Sequence, residues 1–133
     1  MRHLIPALLA AAALAASPAA SAREKLAPED QLAKLLDGRV AGEPQNCLSL
    51  TSLGSSQIID KTAIVYRVGS TLWVNRPDGG ASSLDDDDIL VLKTSGSQLC
   101  SIDTLELRDR SSRMYSGFVS LGKFVPYRRV KGE

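Results

Sequence analysis

The sequence predicts a mainly β fold, a small antiparallel β-sandwich or barrel with one short N-terminal helix and one disulfide. Three observations lead to this fold class. From residue 47 onward, short apolar runs alternate with Gly, Ser, Asn and Asp, a spacing typical of antiparallel β folds with seven or eight strands. A helical pattern of apolar residues precedes that point. The chain also contains two cysteines, enough for one disulfide.

A short helix is predicted from Pro28, which suits the first helical position. Glu29 and Asp30 interact favourably with the helix dipole in the first turn, and Gly38 is a stop signal. Leucines at positions 32, 35 and 36 lie on one helix face, so an apolar stripe can pack against the rest of the domain. Residues 39–46 are predicted to form a loop, because this segment contains a glycine and a proline.

A β-hairpin is predicted over residues 62–75, TAIVYRVGSTLWVN, with Gly69 and Ser70 as its two-residue turn. The two sides of this hairpin carry similar amounts of apolar surface, so we expect both faces to be covered. The turn fixes a register of five cross-strand pairs: Val68 with Thr71, Arg67 with Leu72, Tyr66 with Trp73, Val65 with Val74, and Ile64 with Asn75.

Two further hairpins are predicted downstream. Residues 89–93 are expected to pair with residues 98–102 across a Ser-Gly-Ser turn, and residues 118–121 with residues 124–127. Leu105 and Leu107 continue a period-2 pattern between these hairpins. Pro126 favours an edge position for the last strand, because proline has no backbone N–H for a sheet ladder.

The first 22 residues are predicted to be a cleaved signal peptide. Arg2 and His3 give a positive start, residues 4–16 are apolar, and the small residues that end at Ala22 precede Arg23. The apolar run is shorter than the roughly 20 residues that a membrane-spanning helix needs. Residues 23–133 are therefore expected to form a single exported β-rich domain with no transmembrane segment. The predicted localisation is periplasmic or secreted.

Export bears on the two cysteines, Cys47 and Cys100. Because an oxidising compartment favours disulfides, these two residues are predicted to form one. The loop-closure model assigns about 4 kcal/mol to a bridge that closes a loop of this length.

The charges are balanced overall but unevenly placed. The formal net charge is +1, and removal of Arg2 would bring it to about zero, so nothing draws the whole molecule to nucleic acid. The C-terminal region is basic, and Arg128 and Arg129 are a candidate binding surface for a protein or an anionic cell-envelope component. No nucleic-acid partner is predicted, because alternating strands produce the same mixture of arginines and aromatic residues.

Most catalytic constellations are excluded by residue type. His3 is the only histidine and lies in the predicted signal peptide, so the exported domain has no histidine base or histidine metal ligand. No catalytic residue, cofactor or metal is predicted. The aspartates at positions 85–88, with Asp78, Ser82 and Ser83 nearby, resemble a calcium loop. However, four consecutive side chains point in different directions and cannot all reach one ion.

Three carboxylates remain for an enzymatic alternative, a carboxylate-based hydrolase of an envelope glycan built on Asp60, Asp103 or Glu106. Asp103 is otherwise expected to form a structural salt bridge with Arg110. Trp73 with Tyr66 could stack on a sugar, but a lone tryptophan in a small domain is more often part of the core.

Four segments carry a family resemblance: GRVAGEPQNC (residues 38–47), AIVYRVGSTLWVNRP (63–77), QLCSIDTLEL (98–107) and GFVSLGKFVPY (117–127). Together they resemble an uncharacterised family of small exported proteobacterial proteins, a domain of unknown function that ends in Leu-Gly-x-Phe-Val-Pro-Tyr. The resemblance implies export and a single domain, and it implies no activity. The function that the sequence favours is therefore a non-catalytic exported domain that binds a protein or an envelope component.

Overall fold

The computed structural model describes residues 24–131. The predicted signal peptide, residues 1–22, and the junction between Ala22 and Arg23 lie outside the described residues. In the described part, no helix is long and apolar enough to cross a membrane. That part contains one α-helix and ten strands: α1 (Pro28–Leu35), β1 (Arg39–Ala41), β2 (Cys47–Ser49), β3 (Ser56–Ile59), β4 (Ala63–Val68), β5 (Thr71–Asn75), β6 (Asp88–Leu92), β7 (Gln98–Cys100), β8 (Thr104–Asp109), β9 (Tyr115–Ser120) and β10 (Phe124–Arg129).

Helix α1 begins and ends where the sequence predicts. Pro28 opens the first turn, which also carries Glu29 and Asp30. Gly38 ends the segment with a φ of +71°, a left-handed conformation that glycine adopts without a steric penalty. Leu32 is 2% exposed and anchors the helix on the sheet beneath it.

A five-stranded antiparallel sheet in the order β1-β10-β5-β4-β3 forms one layer. Its centre is the predicted hairpin, and all five predicted cross-strand pairs are present, from Val68 opposite Thr71 to Ile64 opposite Asn75. Gly69 occupies the turn with a φ of +58°. The local pattern and the turn residues were enough to fix this register. The predicted loop over residues 39–46 is wrong at its start, because β1 pairs there with β10.

The second layer consists of a three-stranded sheet, β6-β8-β9, and a two-stranded sheet, β2-β7. All strand pairs are antiparallel. The core lies between the two layers. The five-stranded sheet contributes Ile58, Ile64, Tyr66, Trp73 and Phe124, and the opposite layer contributes Leu48, Leu99, Leu105, Leu107 and Val119. The mainly β fold with one helix and one disulfide is confirmed.

A smaller apolar cluster covers the outer face of the five-stranded sheet. Leu32 of α1 packs there on Ile59, Val65, Leu72 and Val74. The central hairpin is therefore buried on both faces, as its apolar pattern predicts.

The predicted pairing of residues 89–93 with residues 98–102 is wrong. β7 pairs with β2, where Cys47 lies opposite Cys100, and β6 pairs with β8. The disulfide joins Cys47 to Cys100 with their Cα atoms 4.0 Å apart, which confirms the predicted bridge. Leu50 N also donates to the Ser97 carbonyl at 2.9 Å. These bonds hold β7 against β2 and away from β6.

The predicted pairing of residues 118–121 with residues 124–127 is also wrong. β9 pairs with β8, whereas β10 lies between β1 and β5. The chain crosses between the layers at Gly122, which exchanges hydrogen bonds of 2.7 and 3.0 Å with the buried side chain of Asn75.

Pro126 therefore lies in an inner strand, not at an edge. Gly42 N donates to the Pro126 carbonyl at 2.7 Å, so the Pro126 nitrogen faces the same side, just beyond the last residue of β1. A backbone N–H at this position would not take part in the β1–β10 ladder or in the β10–β5 ladder. Proline therefore removes no hydrogen bond from either strand pair.

Candidate functional site

A groove with a cationic rim lies between α1 and the outer face of the five-stranded sheet. Its volume is about 430 Å³. We call it the basic groove. Among the described residues, its wall contains four cations and no carboxylate: Lys34, Arg39, Arg67 and Arg129 at the rim, with Leu26, Gln31, Leu35, Gln57 and Leu72.

Strand register brings these cations together. Arg39 of β1 lies directly opposite Arg129 of β10, so both side chains project from the same face. Arg67 of β4 lies opposite Leu72 of β5, which forms part of the groove wall. Lys34 comes from the last turn of α1. The four cations thus come from α1, β1, β4 and β10, of which only α1 and β1 are neighbours in the sequence.

The four cations form no ion pair with any residue between 24 and 131. The carboxylates that do form ion pairs bind other bases, as Glu29 does with Arg76 and Asp87 with Arg110. Arg39 instead donates to the carbonyls of Ser70 at 2.8 Å and Tyr127 at 3.2 Å. Desolvation, followed by repulsion from Arg129 and Arg67, lowers the pKa of Arg39. A bound anion would relieve that repulsion.

The structure separates the two arginines of the predicted binding surface. Arg129 belongs to the basic groove. Arg128 projects from the opposite face of β10 and stacks over the Trp73 ring, 5.8 Å from its centroid, a cation–π contact. Trp73 and Tyr66 lie in the core as expected. Sequence patterns did not predict Lys34, Arg39 or Arg67 as site residues. These residues meet Arg129 only through the β1–β10, β10–β5 and β5–β4 pairings and the packing of α1 on the sheet, and such long-range contacts leave no local pattern.

The acidic run does not gather around one point. Asp85 accepts a hydrogen bond from Asp87 N at 2.9 Å, Asp86 binds Lys25, and Asp87 lies 3.6 Å from Arg110. Asp88 is buried and accepts a hydrogen bond from the Ser116 hydroxyl at 2.7 Å. Four neighbouring aspartates thus have four different environments.

Asp60, Asp85 and Asp86 do approach one another, but the Lys25 ammonium binds Asp60 and Asp86. Burial favours the neutral form of Asp60. The hydrogen bond from Asp86 N and the contact with Lys25 outweigh burial and lower its pKa. A basic side chain from this chain therefore holds the position that a cation would take.

The three carboxylates of the hydrolase hypothesis lie in separate settings. Asp60 binds Lys25, and Asp103 accepts a hydrogen bond from Cys100 N at 2.7 Å. Glu106 binds Lys93 at 2.9 Å and also Arg108, and these contacts lower its pKa. Asp103 makes no salt bridge with Arg110, because it closes the turn after β7 instead.

A second cavity, of about 480 Å³, lies between β3 and β6, and its lining includes Asp86, Asp88 and Arg110. An apolar cavity of about 190 Å³ adjoins it. Ser56 and Leu90 line both. None of the three carboxylates named in the hydrolase hypothesis lines either cavity.

Comparison of the chain with family models, with curated proteins and with solved structures finds no match. The resemblance to a family of exported proteobacterial proteins therefore stays a prediction.

Proposed function

We propose that this protein is a non-catalytic exported domain that binds an anionic component of the cell envelope in the basic groove. The observation that carries this proposal is the clustering of Lys34, Arg39, Arg67 and Arg129, with no carboxylate among the described groove residues. Surface cations usually alternate with acids, so an unbalanced cluster of one sign produces a positive potential that attracts anions.

The walls of the groove indicate the kind of anion. Leu35 and Leu72 line the groove together with the cations and also belong to the apolar cluster beneath α1. A ligand with phosphate or carboxylate groups and some apolar surface would contact both parts of the groove. An acidic lipid head group or an anionic envelope polymer has this chemistry.

Export is part of the proposal. A disulfide such as that between Cys47 and Cys100 is typical of an oxidising compartment, which supports the predicted signal peptide and a periplasmic or secreted location. An envelope ligand is accessible from that side of the cytoplasmic membrane. Protein isolated from its own host should accordingly begin at Arg23.

The hydrolase alternative has weaker support. A carboxyl group that acts as a general acid needs a raised pKa, whereas the pKa values of Asp60 and Glu106 are lowered. Asp103 is engaged by a backbone N–H. We therefore propose that the protein acts by binding, and we assign no catalytic residue.

Arg129→Ser and Arg128→Ser form a matched pair that tests the proposal. The two residues are neighbours in one strand, but only Arg129 lines the groove. We expect the Arg129→Ser variant to bind vesicles that contain phosphatidylglycerol about fivefold more weakly than the wild type. The Arg128→Ser variant should bind as tightly as the wild type. Added salt should weaken vesicle binding by the wild type and by Arg128→Ser.

Soluble polyphosphate serves as the second probe and separates a polymer ligand from a lipid. Vesicles of phosphatidylcholine alone report binding that does not depend on charge. Equal binding of anionic and neutral vesicles, together with no binding of polyphosphate, would refute the proposal. An equal loss in both arginine variants would place the ligand outside the basic groove.

A further inference from the structure

The cavity between β3 and β6 faces the edges of two strands. Ser56, Gln57 and Ile58 line one side, and Asp88, Ile89 and Leu90 line the other. Successive side chains of a strand point to opposite faces of its sheet. A cavity on one face of a sheet would contact only every second residue of a strand. A cavity lined by three consecutive residues therefore lies along the edge of the strand. We call this cavity the edge cleft.

Within residues 24–131, no strand pairs with the β3 edge that faces the edge cleft. The carbonyls of Ser55 and Ile59 accept hydrogen bonds from Arg67 N at 2.9 Å and Thr62 N at 3.0 Å, so the odd-numbered residues face β4. By the alternation of an antiparallel ladder, Ser56 and Ile58 direct their N–H and C=O groups into the cleft. β3 is the last strand of its sheet.

β6 is the last strand of the three-stranded sheet and presents the other free edge. Leu121 N donates to the Asp103 carbonyl at 3.0 Å, so odd-numbered residues of β8 face β9 and even-numbered residues face β6. Ile89 lies opposite Arg108 and faces β8. Leu90, the next residue, therefore directs its backbone groups into the cleft.

An apolar pocket continues from the cleft into the core. Six leucines line it: Leu50, Leu53, Leu90, Leu92, Leu99 and Leu105. We call it the leucine pocket. Its volume of about 190 Å³ exceeds the ~150 Å³ of an engineered cavity that holds benzene. An aromatic or large aliphatic side chain therefore fits. Tyr66, whose buried hydroxyl has no partner among the described residues, also lines it.

We propose that the edge cleft binds an extended peptide segment of a partner protein, which adds as a strand to β3 or β6. Its backbone pairs with Ser56 and Ile58 or with Leu90, and one large apolar side chain enters the leucine pocket. Strand addition supplies backbone hydrogen bonds, and the pocket selects a side chain. A peptide satisfies both the free edges and the pocket, whereas an acyl chain would leave the edge groups unpaired.

The peptide site is distinct from the basic groove. Gln31 and Gln57 line both cavities, but the four groove cations do not line the edge cleft. Binding of a peptide can therefore fail while binding of an anion succeeds, and the reverse also holds.

The first experiment selects linear peptides of about six residues, the usual length of a strand, from a phage-displayed library on the purified protein. We expect the selected peptides to share one large apolar residue flanked by extended segments. A synthetic copy with N-methyl groups on alternate residues cannot donate to a strand edge, and it should bind about tenfold more weakly or worse.

The second experiment locates the peptide on the wild-type protein by amide hydrogen exchange. Strand addition should slow exchange at Ser56 and Ile58, or at Leu90, and leave the amides of β1, at the other edge of the five-stranded sheet, unchanged. Leu53→Trp should fill the leucine pocket and abolish peptide binding. Val40→Trp is its matched control, because Val40 is exposed on β1, at the other edge of the same sheet.

Three outcomes would overturn the proposal. The first is that Leu53→Trp fails to abolish the binding of any selected peptide. The others are that the N-methylated copy binds as tightly as the original peptide, or that exchange at the amides of Ser56, Ile58 and Leu90 stays unchanged. Self-association that is lost in Leu53→Trp would identify the occupant as a second copy and would also overturn it. The exchange measurement and the N-methylated peptide use the wild-type protein, so they decide the matter even if Leu53→Trp does not fold.

Discussion

Two buried polar side chains in the core differ in how they are satisfied. Asn75 is fully buried and exchanges two hydrogen bonds with the backbone of Gly122. Tyr66 is 5% exposed, and its hydroxyl has no partner in the part of the chain that the structure describes. Burial raises the pKa of Tyr66, because the phenolate loses hydration in the apolar core. Asn75 fixes a chain crossing, whereas the Tyr66 hydroxyl only costs stability in the free protein.

Tyr66→Phe should therefore stabilise the protein by about 1 kcal/mol at neutral pH, because it removes a buried hydroxyl without a partner and keeps the ring contact with Phe124. Above about pH 10 the tyrosine ionises in the unfolded chain but resists ionisation in the fold, so the wild type loses stability as the pH rises. The variant should lose less. Urea unfolding at pH 7 and pH 11 measures both effects.

Tyr115→Phe is the control for this measurement, since Tyr115 is exposed on β9. Its stability should match that of the wild type at both pH values. A Tyr66→Phe variant less stable than the wild type at pH 7 would show that the hydroxyl has a partner in solution.

At the scale of elements, sequence patterns located most strands but failed to pair several of them. The β4–β5 hairpin was predicted residue by residue, because two turn residues and alternation suffice to set a hairpin register. Leu105 and Leu107, which continue a period-2 pattern in the sequence, lie in β8 and are both buried. The partners of β7 and β10 were not predictable in this way, because they are remote in the sequence and are chosen by packing, by the disulfide and by the Asn75 contact.

The disulfide should matter most for β2 and β7, which have three residues each and, among the strands of residues 24–131, pair only with one another. The Cys47→Ser/Cys100→Ser double variant should lose about 2–5 kcal/mol of unfolding free energy. Urea unfolding with and without reductant measures this loss, and the reductant should destabilise the wild type but leave the double variant unchanged. An unaltered midpoint in the double variant would show that the two short strands hold without the bridge.

At the scale of the whole molecule, charges that look separate in the sequence are combined or divided by the fold. The acidic run was expected to disperse, and its four side chains do contact different partners. The basic C-terminal segment was expected to form one surface, but alternation along β10 sends Arg128 and Arg129 to opposite faces. The basic groove was not predictable, because Lys34, Arg39 and Arg67 join Arg129 only through the assembled sheet and helix.

The distribution of carboxylates also sets the response of the fold to acid. Hydrogen bonds or ion pairs lower the pKa values of Glu29, Asp60, Glu106 and Asp109. A carboxyl group whose pKa is lower in the fold than in the unfolded chain adds stability above the unfolded value, near 4. That stability is lost as the pH falls through the folded value. We therefore expect unfolding free energy to be level between about pH 5 and 8 and to decline below about pH 4.

Asp109 allows this expectation to be tested at one site. Its pKa is lowered mainly by hydrogen bonds from Ser112 N and the Ser112 hydroxyl, at 2.7 and 2.9 Å, with a further bond from Ser111 N. Because no opposite charge is involved, salt should screen this contribution less than it screens the ion pairs of Glu29 and Glu106. Asp109→Asn should flatten the acid decline of stability at both low and high salt. Asp37→Asn is the control, since the Asp37 side chain is exposed and makes no hydrogen bond or ion pair within residues 24–131. Urea midpoints between pH 2 and pH 7 for the three proteins measure the effect, and equal slopes for Asp109→Asn and the wild type would contradict it.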